Sequence, residues 1–197
     1  MLHNVITNVS KNLLEPNSSY DYVFIHNPKK DYNASCIIPK ECKMALGMEN
    51  GDITDKQITA SSEWKTDHGA ANGRLNFTPR DGRTGAWSSG RNDVNQWLQV
   101  DFQRSALVTG ISTQGRNGLN QFVKSYTVSS SQDGENFQHF LENGTFKFKE
   151  FQGNTDKNSI VHHTVIPHIS ARFIRIHPTA WNNHISMRVE FYGCYVY

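Results

Sequence analysis

Three cysteines, Cys36, Cys42 and Cys194, carry the most definite chemistry in this chain. Cys42 opens a strongly patterned region and Cys194 almost closes it. Bonded, the two would tie the ends of that region together and remove roughly 5 kcal/mol of chain entropy from the unfolded state. Unbonded, all three would be buried free thiols, and in either case Cys36 is left over. Five histidines, His162, His163, His168, His177 and His184, crowd the last third. Zinc needs three or four convergent ligands, and none of its usual spacings occurs there. Asp81 follows Pro79-Arg80 in a Gly-rich loop, where a carboxylate and carbonyl oxygens suit a hard ion. Calcium is therefore the ion the sequence leaves open, with Asp81 as its candidate ligand, and no cofactor is required. No nucleophile elbow, HExxH, Walker or dinucleotide fingerprint occurs, so the chain reads as a non-enzyme.

Bulk composition narrows the partners. Twenty Lys and Arg against 18 Asp and Glu give a net charge of +2, and no basic–aromatic stripe is present, so nucleic acid is not expected. No run approaches about 18 apolar residues, so no spanning helix is expected. The start MLHNVITNVSKNLL lacks the regions of a secretory signal. Five Asn-x-Ser/Thr triplets begin at Asn8, Asn17, Asn33, Asn76 and Asn143, and with the cysteines they tilt the reading toward the secretory route. An extracellular protein is expected, secreted or the ectodomain of something larger.

The elements that must position such residues are strands. WLQVDF, ALVTGISTQG, FVKSYTVSSSQDGENF, ARFIRI and ISMRVEFYGC are short strand-like runs joined by turn formers, and helical periodicity is nearly absent. Leu98, Val100 and Phe102 share one face against Gln99 and Asp101; Ile185, Met187, Val189 and Phe191 share another against Ser186, Arg188 and Glu190. Asp133-Gly134 supports the positive φ of a hairpin turn. Residues 53–90 hold few apolar runs and many Gly, Asp, Asn and Arg, which predicts a mostly loop segment of the kind that carries function. This is an all-β pattern, a single sandwich. Residues 1–41 differ in texture and read as a linker or the tail of a preceding module, with Tyr22–Ile25 as a candidate edge strand; the compact domain should run from 42 to 194.

The ordered segments LGMENGDITDKQITASSEW, GAWSS, NQWLQVDF, VTGISTQG, SYTVSSSQDGENF, GNTDKNS and ARFIRIHPTAWNNHISMRVEFYGC together resemble a discoidin domain, the F5/8 type C type found in coagulation factors V and VIII and in milk-fat-globule adhesion proteins. The segment TAWNNHISMRVEFY is most similar to the slime-mould discoidin lectins. The resemblance covers about 42–194 and implies an eight-stranded jelly-roll β-sandwich of the galactose-binding type. It also implies an end-to-end disulfide, matched here by Cys42 and Cys194, with no counterpart for Cys36. Ligands in this family sit on loops at one end, here 64–77, 88–95 and 115–121. Membrane-binding members display aromatic or large aliphatic side chains there above a basic collar. The first loop reads KTDHGAANGR with no central aromatic, Trp64 is expected to pack beneath it, and the third loop offers only Leu119.

The loops do carry Asp67, His68, Asn72, Arg74, Arg116, Asn117 and Asn120, whose amide, carboxylate and guanidinium groups suit a hydroxyl-rich ligand. With Leu119 these form the candidate ligand-binding set. Arg172, Arg175 and Arg188 are expected to pair with carboxylates such as Asp101 or Glu190, or to lie on a solvated face. Trp87, Trp97 and Trp181 read as core or rim packing. The expected partners, in order, are a cell-surface or matrix glycan or glycoprotein, a protein receptor, and membrane lipid as the least favoured. Weak single-site sugar binding would call for oligomers or neighbouring modules.

Overall fold

The computed structural model describes residues 42–196. Cys36, the candidate strand Tyr22–Ile25 and the triplets at Asn8, Asn17 and Asn33 lie outside the described residues. Nine strands are present among those described: β1 (Met44–Ala45), β2 (Ile58–Ala60), β3 (Trp87–Ser88), β4 (Leu98–Gln114), β5 (Phe122–Ser131), β6 (Gln138–His139), β7 (Phe151–Gln152), β8 (Val161–Asn182) and β9 (Ser186–Tyr195). The only helical pieces among them are three one-turn 3-10 segments. The order β1-β9-β4-β8-β5-β6 is antiparallel, with β2 added on β4, β3 on β9 and β7 on β5. The eight strands implied by the resemblance become nine because several two-residue strands pair alongside the long ones.

The sheet is not closed into a barrel. The long pair β4 and β8 shifts register between Asp101 and Ala106 and again between Val108 and Gly110. At the first, Gln103 adopts φ 62° and donates its backbone N–H to Asp101. Asp101 also accepts two bonds from Arg172, at 2.9 and 3.0 Å, the pairing expected of a strand arginine.

Period-two patterning places the core as read. Leu98, Val100, Phe102, Ile185, Met187, Val189 and Phe191 are all buried, around Trp87, Ile174 and Ile176. The opposite face of β9 differs from expectation, because Ser186, Arg188 and Glu190 are buried too. Loops cover that face. Glu190 accepts backbone N–H bonds from Gly47, Met48 and Glu49, so its carboxylate serves as an anchor for the 47–49 turn rather than an arginine's partner. Arg188, 2 % exposed, donates to the carbonyls of Gly115 (2.6 Å), Phe77 (2.9 Å) and Lys157 (3.1 Å). Burial draws its pKa down to about 10. Arg175 bonds Gln99 and lies between the rings of Trp97 and Phe137.

Cys42 and Cys194 are disulfide-bonded across 152 positions. Beside them a Cβ on Gly193 would lie 1.9 Å from the Leu107 carbonyl oxygen, so only glycine lets β9 approach β4 there.

A half-buried histidine, His177, is expected to make the fold acid-sensitive. His177 bonds the Ser129 hydroxyl at 2.7 Å and sits 5.0 Å from the His139 ring. Burial, with His139 and Arg175 nearby, lowers its pKa to about 4. Protonation is therefore resisted in the folded state, and the unfolded chain takes up the proton first. The stabilising contribution is complete above pH 6.5 and is lost as pH falls toward 4, at most about 3 kcal/mol. Urea titrations between pH 7.5 and 4.5 should show this slope, and His177→Gln should flatten it.

Candidate functional site

The loops at one end converge on a cleft of about 320 Å3 lined by Trp64, His68, Ser88, Arg116, Leu119, Gln121 and His184. Each wall is built from local backbone bonds. Trp64 donates its N–H to the Ser88 carbonyl, which fixes the start of the first loop on β3. Trp87, the next indole along, takes the core position and bonds the Ser62 carbonyl through Nε1. With that place filled, Trp64 is left 51 % exposed, its ring edge-on to His184 at 4.8 Å. The expectation that it packs beneath the loop is corrected accordingly: the centre of the loop holds no aromatic, but Trp64 stands exposed at its start.

The third loop turns at Gly118, whose φ of 96° favours glycine. Arg116 N–H bonds the Gln121 carbonyl, its guanidinium bonds the Gln121 side chain at 2.9 Å, and Asn117 N–H bonds Gly85. Leu119 stands at the tip, 49 % exposed, so two large apolar groups flank the cleft. Arg116 Nε is buried without a hydrogen-bond partner. Desolvation lowers the Arg116 pKa while Asp67 opposes that shift, and the side chain remains a cation at any physiological pH.

His184 joins the second loop to this wall. Its Nε2 lies 2.8 Å from the Ser89 carbonyl and its Nδ1 3.1 Å from Asn92 Nδ2, while the Ile185 N–H bonds Asn92 Oδ1. The loop so held carries exposed Val94 and Arg91. Lys65, next to Trp64, is exposed as well.

The sequence-derived set divides on inspection. His68, Arg116 and Leu119 come together in the cleft. Asp67 stands behind His68, 2.6 Å from its Nδ1, and that bond holds the Asp67 carboxyl below the usual range. Asn72 is buried and spent on the Asp67 carbonyl and Arg83; Arg74 is buried against Asp55 and the Met48 carbonyl. Asn117 contributes its backbone, and the Asn120 carbonyl accepts from Asn182 and Asn183. Asp81 occupies an exposed turn at φ 53°, and no three His, Cys, Asp or Glu side chains converge as a metal centre among the described residues. Ser88, Gln121 and His184 were not singled out for binding. His184 was visible as one of the clustered histidines, but only the fold brings it to the loop end.

Residues 57–191 match the F5/8 type C domain family. The chain is 44 % identical over 158 residues to coagulation factor VIII of Canis lupus familiaris, a stretch covering 78 % of this chain and 6 % of that protein. It is 36 % identical over 203 residues to coagulation factor V of Mus musculus, covering 96 % of this chain and 9 % of that one. Among solved structures, discoidin II of Dictyostelium discoideum superposes with a TM-score of 0.64 at 34 % identity, covering 71 % of this chain and 56 % of that chain. A family 32 carbohydrate-binding module from C. perfringens NanJ, solved with galactose, shares the fold at a TM-score of 0.52 and 17 % identity, covering 76 % and 98 %. The chain thus spans a small part of the coagulation factors it matches.

These identities correct the ranking of partners. In the sequence, membrane lipid ranks last because the first loop has no central aromatic and the third offers only Leu119. Identity to factor VIII is higher than to discoidin II, 44 % against 34 %. The tips are furnished, since Trp64 and Leu119 are both half exposed.

Proposed function

Because the chain belongs to the F5/8 type C domain family, a family of non-catalytic, disulfide-bonded extracellular modules, we propose that it docks on membranes containing anionic phospholipid through the Trp64–Leu119 cleft. The observation that carries the proposal is the pairing of two half-exposed apolar tips with a cationic floor. Trp64 and Leu119 enter the interfacial layer, where burying a Leu or Trp side chain is favourable by about 1.5–3 kcal/mol when complete and about half that from a half-exposed start. Val94, on the adjoining loop, adds a third apolar contact. Arg116 meets a headgroup phosphate or carboxylate inside the cleft, with Ser88, Gln121 and His184 as hydrogen-bonding neighbours. Lys65 and Arg91 form the surrounding collar, each adding about 1 kcal/mol near an anionic surface. The unit proposed to do this runs from Cys42 to Cys194, with residues 1–41 as linker or tail.

Sedimentation with vesicles tests it. Vesicles containing phosphatidylserine should pellet the protein, and phosphatidylcholine alone should not. Leu119→Asp should weaken binding at least tenfold, since it removes apolar burial and places a carboxylate against an anionic surface. Binding that survives Leu119→Asp unchanged, or that ignores lipid charge, sinks the proposal. A second reading, a glycan site, is favoured by the indole edge beside Arg116, Gln121 and His184; it requires free sugar to displace the protein from its target, and vesicle binding unaffected by sugar counts against it.

A further inference from the structure

The described residues hold two Asn-x-Thr triplets, and the fold treats them oppositely. Asn76 sits at φ 57°; its Nδ2 donates to Glu49 at 2.8 Å, its Oδ1 accepts from Gln114 at 3.1 Å, and Phe77 after it is buried. Modification there would compete with contacts joining three segments. Asn143 lies at the exposed turn of the hairpin between β6 and β7, followed by Gly144, around which there is open space. That turn is closed by Glu142 N–H to Lys147 and Thr145 N–H to Glu142 bonds, which do not use the Asn143 side chain. The same hairpin presents Phe146, 98 % exposed, while Phe148 stacks on His139 at 4.0 Å. It stands on the outer edge of the sheet, because β6 and β7 each pair with β5. An uncovered aromatic on a sheet edge invites association.

We propose that Asn143 carries an N-linked glycan that covers Phe146 and shields this sheet edge. The proposal rests on the extracellular location and not on the membrane reading. The donor is a lipid-pyrophosphate-linked oligosaccharide of the secretory pathway. Asn143 Nδ2 attacks the sugar C1; a C1–N bond forms, the C1–O bond to pyrophosphate breaks, lipid pyrophosphate leaves, and Nδ2 gives up one proton to the transferring enzyme. No redox change is involved. The resulting chain is bulky and solubilising. It branches from the hairpin that follows β6, and β6 pairs with Ser129 and Ser130 near the C-terminal end of β5, away from the loop that precedes Phe122. The cleft therefore stays open.

The full chain, secreted from N-glycosylating cells behind an added signal, should be digested after enzymatic deglycosylation in heavy-oxygen water. Isotope is expected at Asn143 and not at Asn76. An unlabelled Asn143 in secreted, disulfide-bonded protein overturns the assignment, as does equal labelling of Asn76. Deglycosylation of the folded protein should raise binding of a hydrophobic dye several-fold, and Phe146→Ser should abolish that rise. Dye binding unchanged by deglycosylation overturns the shielding role.

Discussion

Replacing both Cys42 and Cys194 with alanine is expected to lower the unfolding free energy by about 5 kcal/mol, the largest single effect in this molecule. The bridged positions are 152 residues apart, so nearly the entire described chain is one covalent loop. Chain-entropy stabilisation grows with the logarithm of loop length, which places this bridge near the top of the range. A domain of this size has a total stability of about 5–15 kcal/mol, so the variant should be marginal at body temperature. Strand pairing at the bridge is short, since β1 holds only Met44–Ala45 against Tyr192–Gly193. Beyond it, the Leu46 N–H bond to Phe191 and the Glu190 bonds to the 47–49 turn remain to hold the segment, so the loss is expected to fall chiefly on the unfolded-state entropy. Denaturant unfolding of the double variant, compared with the parent under non-reducing conditions, measures the difference. A change below about 1 kcal/mol would show that the bridge does not constrain the unfolded chain as argued.

Arg188→Met should cost about 3 kcal/mol or more, and it should also disturb the cleft. Replacing a buried charge with an apolar side chain is often neutral when its partner is replaced too. Here the partners are backbone carbonyls of Phe77, Gly115 and Lys157, which cannot be removed. Each would be left without its charged donor, at about 1–3 kcal/mol apiece. Gly115 adjoins Arg116, so the loop that carries Arg116 and Leu119 loses its anchor. Hydrogen exchange should speed up across 115–121 well before global unfolding. Equal protection of that loop in both proteins would mean that Arg188 acts only on overall stability.

The sequence made the strand core legible where one face alone was buried. Leu98, Val100 and Phe102 alternate with partly exposed Gln99 and Asp101, and period-two reading suffices there. It failed on the second face of β9, because the segments that meet Arg188 and Glu190 there come from positions near 47–49, 77, 115 and 157. No local pattern announces a loop lying over a strand from 31 to 143 residues away. At the site, the polar composition of the loops was readable, but their division of labour was not. Asn72 and Arg74 look like ligand-seeking groups in the sequence and turn out to hold the first loop together. Trp64 and Trp87 are equivalent by composition. Only the fold decides which indole fills the core and which is left at the rim.

Membrane docking through the exposed indole is tested most directly by Trp64 fluorescence with vesicles whose acyl chains carry bromine. Trp87 is fully buried and Trp97 and Trp181 are partly packed, so the contrast between the parent and Trp64→Phe isolates the rim indole. Phosphatidylserine-containing vesicles should shift the parent's emission to the blue and quench it, while Trp64→Phe, folded and still binding more weakly, should show neither change. Vesicle binding with Trp64 emission unmoved, or no binding by the folded, disulfide-bonded parent, would contradict the assignment.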